Sequence, residues 1–103
     1  MDRNLLDQIA LARQQGVSAA LITIIDTKGS TPRKAGSKML VYPDGRIYGT
    51  IGGGCAEADV KLKALQAIQD RHSFIYQINM VNDVAAEEGM VCGGIMQVFI
   101  QMI

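Results

Sequence analysis

Two short stretches carry thiols among glycines. One is Gly52-Gly53-Gly54-Cys55-Ala56-Glu57, and the other is Gly89-Met90-Val91-Cys92-Gly93-Gly94. The first follows a short apolar run, Arg46 to Ile51, that reads as a strand, and it precedes Asp59 to Asp70, which reads as a helix. Glycine accepts positive φ and lets a ligand approach the backbone closely. The first N–H groups of a helix have no partner within it, and together with the helix dipole they favour an anion. The same field activates a thiol as a nucleophile or metal ligand. Taken alone, the stretch also reads as a plain helix start with a buried, inert cysteine. Glu57 has two readings as well: an acid complementing the helix dipole, or a carboxylate contacting a ligand or moving a proton.

A third stretch, Asp26 to Lys38, is the longest polar run. It offers hydroxyls at Thr27, Ser30 and Thr31, and four cations (Lys28, Arg33, Lys34 and Lys38) against the single acid Asp26. Hydroxyls, glycine N–H groups and a planar guanidinium suit an oxyanion or phosphate. The glycine spacing is not that of a Walker loop. A solvated surface loop is the alternative. His72 is the sole histidine and follows the second helix, away from any nucleophile pattern. Two cysteines and one histidine do not match the ligand spacing of structural zinc sites. The residues therefore point to a binding protein rather than an enzyme with a conventional catalytic constellation.

The elements that position these stretches follow from hydrophobic periodicity. Leu5, Leu6, Ile9, Ala10 and Ala12 give Asn4 to Gln14 a helical face, with Gly16 as its stop. Ala19 to Ile25 is apolar and β-branched and reads as a buried strand. Lys38 to Tyr42 and Arg46 to Ile51 flank Pro43-Asp44-Gly45, a hairpin signal. Val60, Ala64, Leu65 and Ile68 form the stripe of a second helix. Ser73 to Ile78 alternates as a strand, and Val81 to Glu88 is a short acidic segment. Ile95 to Ile103 reads as a closing strand whose apolar character predicts an exposed edge and a homodimer. The sum is one small α/β domain, with a mixed sheet of about five strands and two main helices.

The 103 residues, 49% of them apolar, suit one core. Ten basic and ten acidic side chains cancel, so no general electrostatic grip on nucleic acid or on a membrane is expected. No apolar run reaches membrane-spanning length. The opening Met1-Asp2-Arg3-Asn4 lacks a secretory layout, which makes the cytoplasm the expected compartment and free thiols the expected state.

Four motifs in order resemble the N-terminal domain of the xanthine dehydrogenase accessory family, XdhC/CoxI. They are Gly29-Ser30-Thr31-Pro32-Arg33, then Gly36-Ser37-Lys38-Met39 leading into the Asp44-Gly45 hairpin, then Gly49 to Glu57, then Gly89 to Gly94. The family usually has serine or another small residue before Gly-Gly-Cys, where this chain has Gly52. The resemblance implies a maturation factor for a molybdenum hydroxylase. Such a factor binds molybdenum cofactor (molybdopterin), assists its sulfuration and delivers it to the apo-enzyme, with a cysteine desulfurase as a further partner. It makes Cys55 and Cys92 contacts to the cofactor and its metal, with Gly53, Gly54, Ser30, Arg33, Gly93 and Gly94 around them and Glu57 the weakest member. Full-length members continue into a Rossmann-like domain. Residues 1–103 carry no Gly-x-Gly-x-x-Gly, since Glu57 stands at the last glycine position, and are expected to form the first domain alone. Two other readings are a thiol or persulfide carrier using Cys55 and Cys92, and a regulatory or structural module whose glycines serve only turns.

Overall fold

The computed structural model describes residues 3–29, 31, 33–52, 54–80 and 94–103. Its elements are α1 (Arg3–Gln14), β1 (Ala20–Lys28), β2 (Lys38–Val41), β3 (Ile47–Gly49), α2 (Gly54–Asp70), β4 (Phe74–Asn79) and β5 (Ile95–Met102). The α/β class, the five strands and the two helices agree with the sequence reading. The acidic segment Val81 to Glu88 lies outside the described residues. Among the described residues, no helix is long and apolar enough to cross a membrane.

The strands lie in the order β3-β2-β1-β5-β4, and all four pairings are antiparallel. This corrects the expected mixed sheet. The two strands joined by α2, β3 and β4, do run in the same direction, but they occupy opposite edges. The helical crossover spans the whole sheet and never sets its two strands side by side. The order also removes the expected edge at Ile95 to Ile103. That strand is enclosed between β1 and β4, because its apolar residues serve the core.

Two boundaries differ from expectation for physical reasons. β1 continues through Asp26, Thr27 and Lys28, past the apolar run, because β5 pairs with it as far as Lys28↔Ile95. The register shifts between Ile24 and Asp26, which marks a bulge. α2 starts at Gly54, five residues before Asp59, because Ala56 extends the stripe of Val60, Ala64 and Ala67 by one turn. All four of these side chains are buried, and their small size lets the helix sit close on the sheet.

That packing closes one face. Ile22 and Ile24 of β1, Met39 and Val41 of β2, and Val98 and Ile100 of β5 are buried against α2 in one cluster. Full burial of an aliphatic side chain this size contributes about 1.5–3 kcal/mol. On the other face Leu5 and Ala12 of α1 pack on Leu21, Leu40 and Tyr42. The Tyr42 hydroxyl donates to Gln8, with Oε1 at 3.0 Å and the main-chain oxygen at 3.2 Å. α1 touches β2 and β3, and among the described residues no helix covers the β5–β4 half of this face. Ile75 is accordingly 63% exposed and Ile25 43%.

Candidate functional site

The antiparallel order sends three connections off one end of the sheet: β1 to β2, β3 to α2, and β4 to β5. These are the three glycine-bearing stretches. The first is held by backbone pairing beyond the strand ends. Ile24 N–H donates to the Ser37 carbonyl at 2.9 Å, and Gly36 N–H donates to the Ile24 carbonyl at 2.7 Å. The Thr31 hydroxyl donates to the Arg33 carbonyl at 3.0 Å and shapes the loop locally. Lys38 then opens β2, and its Nζ donates to Thr23 Oγ1 at 3.2 Å.

The second connection begins at Gly49. Its φ is +81°, and a Cβ there would lie 2.7 Å from the Lys38 carbonyl oxygen. Only glycine lets β3 end this close to β2. The chain then turns on Thr50, whose hydroxyl donates to Glu57 Oε2 at 2.8 Å and accepts from Gly52 N–H at 2.9 Å. One hydroxyl thus joins strand end, turn and first helical turn. Glu57 lies in that first turn. Both the helix dipole and the Thr50 contact give its carboxylate a structural use. Thr50 is the residue that sequence reasoning missed. The signal was its position seven residues ahead of Glu57, outside the usual N-cap spacing.

Together the two connections enclose a cleft of about 290 Å³ lined by Leu5, Arg33, Gly36, Ser37, Lys38, Gly49 and Thr50. Among the described residues, two cations, a serine and a threonine line it, and no acid does. That set suits an anion with several oxygens. Of the residues singled out from sequence, the cations Arg33 and Lys38 line this cleft. Gly54 and Cys55 lie on the first turn of α2. Gly94 stands just ahead of β5, where its carbonyl accepts from Met80 N–H at 2.9 Å. Ser30, Gly53, Cys92 and Gly93 lie outside the described residues. No group of three metal-ligating side chains occurs among the described residues. His72 lies at the other end of the sheet, beyond the C-terminus of α2.

The model of the XdhC and CoxI family matches residues 12–79. The chain is 40% identical to uncharacterized protein YqeB of Escherichia coli over 99 residues, covering 96% of this chain and 18% of that one. It is 35% identical to a probable xanthine dehydrogenase subunit of Bacillus subtilis, covering 82% of this chain and 26% of that one. A molybdenum cofactor insertion chaperone, PaoD of Escherichia coli, is 36% identical over 62% of this chain and 20% of its own length. The chain therefore spans about a fifth to a quarter of these relatives. The crystal structure of a xanthine dehydrogenase from Bacillus halodurans has the same fold, with a TM-score of 0.74 at 24% identity over 93% of this chain and 29% of that one. The motifs around the glycine turns, the fold and these matches agree: the chain belongs to the XdhC and CoxI family.

Proposed function

We propose that this domain handles molybdenum cofactor during maturation of a xanthine dehydrogenase-type molybdenum hydroxylase. It binds the cofactor as cargo, supports its sulfuration and passes it to the apo-enzyme, working in the cytoplasm. The observation that carries the reading is the cleft of Arg33, Ser37 and Lys38 at the sheet end where Gly54 and Cys55 start α2. The kinship with an insertion chaperone adds the kind of cargo. The cofactor is a pterin with a dithiolene-held metal and a terminal phosphate. Arg33, Lys38 and Ser37 offer that phosphate charge and hydrogen bonds. Gly53, Gly54, Ser30, Gly93 and Gly94 are the further contacts that the family resemblance suggests, and a helix N-terminus such as that of α2 favours an anion. Thiolates of Cys55 and Cys92 match soft-metal chemistry, and a cysteine desulfurase is the matching source of sulfur. Glu57 acts through Thr50 by holding the turn.

A titration of the purified chain with molybdenum cofactor, run beside a nucleotide, tests this. Saturable cofactor binding is expected, weakened tenfold or more in Cys55→Ala and several-fold in Arg33→Ala, with nucleotide the weaker ligand. Equal affinity of Cys55→Ala and the parent sinks the thiol role. Preference for the nucleotide sinks the cargo.

A further inference from the structure

The cleft of Arg33, Ser37 and Lys38 contains one polar group whose hydrogen-bonding role differs from the others. Two main-chain donors lining the cleft are already taken. Gly36 N–H donates to the Ile24 carbonyl at 2.7 Å, and Ser37 N–H donates to the Lys34 carbonyl at 3.2 Å. The guanidinium of Arg33, the ammonium of Lys38 and the hydroxyl of Ser37 are of the types that donate to an oxyanion. Thr50 lines the same cleft but is committed differently. A hydroxyl has one proton and two lone pairs. The Thr50 proton goes to Glu57 Oε2 at 2.8 Å, and one lone pair accepts from Gly52 N–H at 2.9 Å. One lone pair remains, and it can only accept. The Ser37 hydroxyl is free to serve either role by rotation about its C–O bond, whereas the Thr50 hydroxyl is held by bonds on both sides.

We infer that Thr50 is a specificity residue of this cleft: it selects a phosphate monoester carrying a proton over a fully deprotonated tetrahedral anion such as sulfate. This rests on the reading of the cleft as an oxyanion site given above. Anionic oxygens meet Arg33, Lys38 and Ser37, and the P–O–H group donates to Thr50. Sulfate has no proton to offer and sets an oxygen against the remaining lone pair. Thr50 cannot turn its own proton to the ligand without giving up a bond to a carboxylate, one of the stronger kinds of hydrogen bond. Glu57 is then a positioning residue, because it decides which way the hydroxyl points. A site that holds a fixed acceptor rejects a ligand lacking the matching donor more firmly than shape alone can.

Phosphate and sulfate are alike in shape, so their comparison isolates the proton. The 103-residue chain is titrated at about pH 6, where a monoester holds its second proton roughly half of the time. Binding is read from the amide resonances of Gly36 and Thr50. Inorganic phosphate should bind about tenfold more tightly than sulfate, the worth of one hydrogen bond, and phenyl phosphate should behave like phosphate. Thr50→Val keeps the shape but removes the lone pair, and should bring the ratio close to one, whereas Thr50→Ser should preserve it. Glu57→Ala returns the hydroxyl proton to the cleft and should narrow the ratio by improving sulfate. If Thr50→Val fails to fold, the ratio in Glu57→Ala decides. The proposal is overturned if the parent binds sulfate as tightly as phosphate, if the preference survives Thr50→Val, or if Glu57→Ala leaves it unchanged. Loss of binding on esterification, with phenyl phosphate, overturns it too. In each of those cases phosphate binding that is lost in Arg33→Ala leaves the oxyanion cleft itself standing. If neither anion binds, the oxyanion reading falls and takes the proposal with it.

Discussion

The two faces of the sheet are built from similar strands yet are covered very differently. α2 spans one face from β2 to β4 and seals Ile22, Ile24, Met39, Val98 and Ile100 away from water. α1 reaches β2 and β3 on the other face and leaves Ile25 and Ile75 exposed. The difference teaches where stability and recognition separate in this domain. The α2 face holds most of the buried apolar volume. The α1 face leaves the side chains of Ile25 and Ile75 open to water.

The contrast has a direct energetic form. Ile22→Ala empties a fully buried position under α2 and should cost about 2–5 kcal/mol. Ile75→Ala on the open half-face should stay within about 0.5 kcal/mol. Urea unfolding of both variants measures this, and comparable losses would break the distinction between the faces. Gly49→Ala probes the edge shared by both faces. The new methyl would sit 2.7 Å from the Lys38 carbonyl at a φ of +81°. A loss of about 1–3 kcal/mol is expected from the strained backbone, with Leu5 and Arg33 at the cleft moving along with it. An unchanged unfolding midpoint would mean that β3 can end without the close approach.

The smallest expected effect compares two tyrosines, one on each face. Burial pushes the pKa of Tyr42 and of Tyr76 above the ordinary tyrosine range. At Tyr76 the hydrogen bond to Asp59 and the Asp59 charge raise it further. A raised value means that the folded chain prefers the neutral phenol. That contribution to stability is complete below about pH 10, the unfolded value. It is lost as the pH climbs through the raised folded values. Tyrosinate absorbance should therefore show both phenols ionising late, with Asp59→Asn moving Tyr76 down and leaving Tyr42 in place. A common shift of both would show that the two faces are not independent.

The sequence made some of this fold legible and hid the rest for identifiable reasons. α1, the Asp44-Gly45 hairpin and β4 follow from periodicity and turn chemistry, and they stand where the pattern puts them. The start of α2 was legible in part: Gly52 to Glu57 reads as a helix start, but the apolar stripe shows only later because Ala56 is too small to announce it. The polar end of β1 was hidden because Asp26 to Lys28 lie where α1 does not reach, so no apolar alternation marks them. Strand direction was hidden because a helix between two strands suggests adjacent parallel partners, whereas α2 spans the full sheet. At the candidate site, the cations of the first loop could be read from composition. Thr50 could not, since its role depends on a turn that brings it back to Glu57.

The position of β5 has a kinetic consequence. The central pair of the sheet joins β1, the first strand in the sequence, to β5, the last, with Ala20 opposite Met102. Local contacts can assemble the hairpin and both helices early, but β1 and β4 are not bridged until the strand between them arrives. Closing a loop that long carries a large entropic cost before any contact repays it. Folding should accordingly be slow for a domain of this size, governed by insertion of one late strand rather than by helix formation. On the ribosome, chain lengths that stop short of Ile95 would hold two unsatisfied edges at once, the state in which a nascent domain most needs a chaperone.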